Sequence, residues 1–146
     1  MILVITANSN TCRIYHYNKH PAGLTLHKEI NHPENKLKNS DLTSDKSGHY
    51  QGGTSAHGAY SPHMDAKDIK IDNFSREIAN ELNQERNHNG YEHLILIAPP
   101  HVCGLLSQHL NKHVKDLISN HIQKDIVHLP DHELLKFLQE NAKYSD

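Results

Sequence analysis

The run His93-Leu94-Ile95-Leu96-Ile97-Ala98, halted by Pro99 and Pro100, constrains the fold more than any other feature of the chain. Its unbroken apolar character leaves no polar face to turn toward water, so it reads as a central strand of a sheet. Neither proline can donate to a strand ladder, which fixes where the strand stops. Before it, Ile71, Phe74, Ile78 and Leu82 fall at helical spacing, predicting a helix over 68–88 that stops at 87–90 with Gly90 as its terminal glycine. After it, Val102, Leu105, Leu106 and Leu110 form a second helical stripe. A buried strand between two amphipathic helices points to an α/β architecture.

The N-terminal third has a different rhythm. Residues 2–6 are a short β-rich run, Asn8, Ser9 and Asn10 form a turn signal, and Cys12, Ile14, Tyr15 and Tyr17 suggest a second strand. A further turn at His20, Pro21, Ala22 and Gly23 precedes Leu24, Leu26 and Ile30, a third strand; such short turns favour an antiparallel meander. Toward the C-terminus the pattern is ambiguous. Val114, Leu117 and Ile118 suit a helix, Ile118, Ile122 and Ile126 alternate in part as a strand, and we expect the strand at 121–128. Pro130 is expected at the first position of a last helix, with Leu134, Leu135 and Leu138 facing inward. The resulting order is β1-β2-β3, long loop, α1, β4, α2, β5, α3. It is ribonuclease-H-like: a mixed five-stranded sheet with helices on both faces. The 146 residues fit one domain, 1–146, able to bury its own core.

Between about residues 31 and 66 the apolar pattern collapses into Asn, Ser, Asp, Gly, His and Thr. A connection this long in a small domain is usually functional or disordered. Within it, Gly52 and Gly53 let backbone N–H groups come close to a partner. Asp45, Lys46, His49, Gln51, Thr54 and His57 add charge, stacking and hydrogen bonding of the kind an RNA or a peptide would meet. The plainer reading is a solvated insertion.

Other classes of chemistry are poorly supported. The net charge of −2 provides no global attraction to nucleic acid, so any RNA contact needs a local patch. A metal-dependent nuclease needs clustered carboxylates, and residues 4–8 of the first strand contain none. His109 and His113 are four apart, as zinc ligands on one helix face can be, but no third ligand is indicated and 15 histidines make such pairs common. We expect a solvated face there and no metal. Those histidines would make the chain more positive as pH falls toward 6. Cys103, near a helix start, reads as a packed hydrophobe rather than a reactive thiol. Neither Cys12 nor Cys103 belongs to a C-x-x-C pair, which suits reduced cysteines in the cytoplasm. There is no serine-hydrolase elbow and no phosphate-binding glycine motif, so no cofactor is expected and no catalytic residue is assigned. Residues 1–5 are too short for a signal sequence, and no apolar run nears the roughly 18 residues of a membrane span. A cytoplasmic location without a membrane partner is expected.

The chain resembles the bacterial host attachment proteins, described as required for attachment to host cells. The resemblance rests on Arg13-Ile14-Tyr15, the Asp45-Lys46-Ser47-Gly48-His49 element, the helix centred on Phe74, and Ala98-Pro99-Pro100-His101. It continues through Gly104-Leu105-Leu106 and Lys124-Asp125-Ile126 before Leu129-Pro130. That family is in turn similar to the middle domain of archaeal and eukaryotic peptide-chain release factors and of Pelota. There a loop before a helix presents Gly-Gly-Gln to peptidyl-tRNA. Here the matching stretch is Gly52-Gly53-Thr54-Ser55-Ala56, with Thr54 where glutamine would stand and Gln51 ahead of the glycines. Asn8 replaces the acid usual at the end of the first strand, and His49, His101 and Ser107 stand where arginines are usual. Losing those cations removes fixed charge for holding phosphates.

The resemblance therefore implies binding to the ribosome, tRNA or other RNA through residues 45–56, with Arg13, His101 and Lys124 assisting. Any catalysis would be ester hydrolysis of peptidyl-tRNA, with the Gly52 and Gly53 amides orienting water. The alternatives are a non-enzymatic protein-interaction or adhesion-related protein, and a histidine-dependent metal or pH-responsive module.

Overall fold

A computed structural model describes residues 1–35, 66–88 and 90–142 of the chain. Strands β1 (Ile2–Ala7), β2 (Thr11–Lys19) and β3 (Ala22–Asn31) come first, followed by a single 3-10 turn at Pro33–Asn35. Then come α1 (Ala66–His88), β4 (His93–Ile97), α2 (Pro100–His109), α3 (Lys112–Leu117), β5 (Ile118–Ile122) and α4 (Asp131–Asn141). The sheet order is β3-β2-β1-β4-β5. The first three strands form an antiparallel meander, while β4 runs parallel to β1 and β5 parallel to β4. This is the expected mixed five-stranded α/β sheet.

Two apolar layers explain why β1 and β4 have almost no polar residues. On one face Leu3, Ile5, Ile14, Leu94 and Leu96 pack against Phe74, Ile78 and Leu82 of α1, Val102 and Leu106 of α2, and Val114 of α3. On the other, Val4, Tyr15, Tyr17, Ile95 and Ile97 meet Leu134 and Leu138 of α4. Side chains alternate across a strand, so a strand covered on both sides must be apolar at odd and even positions alike. Gly90 takes φ +66°, and its N–H donates to Glu85 O at 3.2 Å, closing α1 in the way a terminal glycine does.

The C-terminal half corrects three expectations. An additional helix, α3, precedes β5, because the Asn111 side chain accepts the Val114 N–H at 2.9 Å and caps a new turn. The strand consequently starts at Ile118 rather than 121 and ends at Ile122. Residues 123–128 are not strand: Lys124 N–H turns back to Ile122 O, and Ile126 packs toward α4. Pro130 is the N-cap, in extended geometry, so Asp131 rather than Pro130 opens α4. The new helix also separates His109, the last residue of α2, from His113 in α3, so the pair shares no helix face. His109 Nε2 instead lies 2.7 Å from Asp72 Oδ1 of α1.

Helix α1 meets edge strand β3 and the residue just after it through three carboxylates spaced one turn apart. Glu77 meets His32 Nε2 at 2.7 Å, Glu81 accepts from Lys28 Nζ at 2.7 Å, and Glu85 meets His27 Nε2 at 2.8 Å. His27 and Lys28 are consecutive and would normally face opposite sides of a sheet. A β-bulge resolves this: Ile14 pairs with Lys28 and Tyr15 with Leu26, leaving His27 as the extra residue. Its ring stacks on His16 of β2, with centroids 4.4 Å apart and planes 21° from parallel. Burial, then the neighbouring His27, lowers the His16 pKa below the ordinary histidine value and favours a neutral ring.

Both cysteines are free and buried. Burial pushes each thiol up, and Cys103 Sγ–H donates to Ala98 O at 3.3 Å, the packed role its neighbours suggested.

Candidate functional site

In open α/β sheets, ligands bind beyond the carboxyl ends of the parallel strands, where the backbone turns outward into loops. Here a cleft of about 720 Å³ lies at that edge, past the ends of β1 and β4. It is lined by Asn8, Ser9, Asn10 and Thr11 of the β1–β2 turn, by Asn31, Pro33 and Asn35, and by Lys67 and Ile71 of α1. Pro99, His101 and Val102 at the start of α2 and Asp125 and His128 after β5 complete it.

The turn after β1 is built by one side chain. Asn8 Oδ1 accepts the N–H groups of Asn10 at 3.0 Å and Thr11 at 2.9 Å, an Asx turn. That fixes which way the carboxamide points, so Nδ2 faces across the cleft and donates to Asp125 Oδ1 at 3.4 Å. Asn35, buried at 6% exposure, donates from Nδ2 to Ser9 O at 3.1 Å, and His32 N–H donates to Asn10 O at 2.8 Å. The chain leaving β3 is thereby pinned to the β1–β2 turn. On the opposite wall, Lys67 stands in the first turn of α1. The last residue described before segment 36–65 and the first turn after it thus both border the cleft.

The third wall is the start of α2. Pro99 is its N-cap and makes no side-chain capping bond, so helical N–H groups at this end keep their capacity to bind an anion. His101 is exposed in that first turn. Among the described residues lining the cleft, Lys67, His101 and His128 are basic and Asp125 is the one carboxylate.

Of the residues singled out from sequence, His101 lines this cleft, and Arg13 and Lys124 do not. Arg13 points its Nε to Glu29 Oε2 at 3.2 Å on β3. Lys124 lies over the Phe137 ring of α4, 5.5 Å from its centroid. Arg13 and Lys124 are thus engaged by Glu29 and by the Phe137 ring, while His101 is at the cleft. Asp45, Lys46, His49, Gln51, Gly52, Gly53, Thr54 and His57 lie outside the described residues. Sequence reasoning did not single out Asn35, Lys67, Asp125 or His128 as site residues. The available signal was position: Asn8 directly follows one parallel strand, and Asp125 falls three residues after another.

Among the described residues, no helix is long and apolar enough to cross a membrane. Residues 3–138 match the sequence family described as "Protein required for attachment to host cells". The fold is similar to a solved structure described as "Archaeal protein", with a TM-score of 0.53 and 12% sequence identity. The match covers 97% of this chain and 34% of that one, so the chain spans about a third of that protein's length. No curated protein matches the chain.

Proposed function

The chain belongs to the family of proteins required for attachment to host cells, and on that premise we propose that it is a cytoplasmic, non-enzymatic binding domain for RNA of the translation apparatus. The RNA would lie in the cleft beyond β1 and β4. The observation that carries this reading is a convergence. An uncapped helix start, Lys67 and two histidines surround a cleft that both flanks of segment 36–65 border. Helix N–H groups and a lysine suit phosphate, while Asn10 and Asn31 offer amides or carbonyls to base edges. Among the described residues lining the cleft, the one carboxylate is bonded to Asn8, so they supply no paired acids of the kind metal-assisted phosphodiester cleavage uses.

The test is ribosome co-sedimentation and tRNA binding by the intact chain beside a Gly52→Ala/Gly53→Ala variant and a His101→Gln variant, at low and moderate salt. Binding that weakens in both variants supports the reading. Undiminished binding in both, or no binding at either salt, overturns it and directs the search to a protein partner, as the family's description would suggest. Fractionation of the native cells then separates a surface role from an internal one.

A further inference from the structure

A second cluster lies on the sheet face covered by α1 and is distinct from the cleft. It joins His16 of β2, His27 of β3 and Glu85 of α1, whose ligand-capable atoms all lie within 4.8 Å of one another. Three features make it more than an ion pair. The β-bulge exists at His27 itself, and bulges re-aim a side chain that regular pairing would send elsewhere. The bulge brings His27 over His16 and within 2.8 Å of Glu85. His16 Nε2 is buried and has no hydrogen-bond partner among the described residues, although buried polar atoms are nearly always satisfied. An imidazole nitrogen without a proton partner, beside a second imidazole and a carboxylate, is the donor set of a borderline metal ion.

We propose that His16, His27 and Glu85 form a binding site for a divalent transition metal of the zinc class. Zinc takes nitrogen and carboxylate oxygen at about 2.0–2.2 Å, so the three donors need to close inward from their present spacing. His27 is the exposed member, and it would leave its stack on His16 and turn to share the ion; His16 and Glu85 belong to strand β2 and helix α1. Three protein ligands leave the fourth position to water. The bound ion would tie β2, β3 and α1 together at the end of α1 remote from the cleft, because Glu85 lies in its last turns and Lys67 in its first.

The experiment is a titration of the full chain with Zn²⁺ by calorimetry and with Co²⁺ by visible absorption. It compares wild type with His27→Asn, Glu85→Gln and His113→Asn. The last removes an exposed histidine outside the cluster and controls for adventitious binding in a chain with 15 histidines. The expected result is one site per chain with a tetrahedral Co²⁺ spectrum. It should weaken at least about tenfold in His27→Asn and Glu85→Gln and stay unchanged in His113→Asn. Wild-type affinity in both cluster variants, or equal loss in the His113 control, overturns the proposal. His27 is exposed on an edge strand, so its variant is expected to keep the wild-type circular dichroism spectrum. Glu85→Gln tests the same site independently from the helix side.

Discussion

Asn8 Nδ2 donates to Asp125 Oδ1 at 3.4 Å, joining positions 117 apart in sequence across the mouth of the cleft. The turn around Asn8 needs only an oxygen acceptor, because its two local bonds are accepted by Oδ1. An aspartate would serve that turn equally well. The donor aimed at Asp125 is what only the amide supplies.

Asn8→Asp should therefore keep the β1–β2 turn and set two carboxylates against each other. With Asp125 exposed, the cost should be modest, about 0.5–1 kcal/mol at neutral pH. The double variant with Asp125→Asn should recover most of it. Urea midpoints for the two single variants and the double variant give the coupling directly. Additive effects would mean that the pair does not interact.

His32 contributes a pH dependence whose sign can be worked out. Its Nδ1 lies 2.8 Å from Glu34 and its Nε2 2.7 Å from Glu77, and these bonds, Glu34 first, raise its pKa above the ordinary value of 6.5. The folded state thus binds this proton more tightly than the unfolded chain. The stabilisation is complete below pH 6.5 and disappears as pH rises through the raised value. Thermal melts at pH 6 and pH 8 should show this loss in wild type and a smaller one in His32→Gln. An equal loss in both proteins would assign the effect to other groups.

Ile78 is fully buried under the sheet, and Leu138 is 1% exposed on the opposite face. Truncating either to alanine leaves a cavity in one layer only, at about 2–5 kcal/mol each. The two sites lie in separate clusters, so their effects should add in chemical denaturation. Strong non-additivity would mean that the layers are coupled through the sheet.

If RNA occupies the cleft, Lys67→Gln should weaken binding evenly across sequences and reduce the logarithmic salt slope by about one. Filter binding between 50 and 200 mM salt, on the order of the range where such slopes are resolved, makes the comparison. A change in sequence preference without a change in slope would move Lys67 from the phosphates to a base.

The elements that were legible in the sequence are those with unambiguous burial. Leu94 to Ala98 and the stripe Ile71, Phe74, Ile78, Leu82 are buried among neighbours their pattern predicts. Strand β5 was misplaced because none of its residues is fully buried, so its apolar positions carry little pattern. The turn that shifts it comes from a single cap, Asn111, which composition does not distinguish from any loop asparagine. The cleft was half legible. His101 was in view, whereas the value of Asp125 depends on the sheet setting it opposite Asn8. Spacing revealed nothing of His16, His27 and Glu85, because the ligands come from three elements and one of them is displaced by a bulge. The spacing that was visible, His109 to His113, crosses a helix break instead.

The bulge at His27 also bears on what the edge of the sheet can pair with. Strand β3 is ten residues long, largely exposed, and among the described residues forms one border of the sheet. An uninterrupted border of that length would be a template for strands from other copies. An extra residue midway throws the hydrogen-bonding groups on either side out of step, so an incoming regular strand can match only one half. Deleting His27 would restore the rhythm of the border, and with it a regular template for strand pairing.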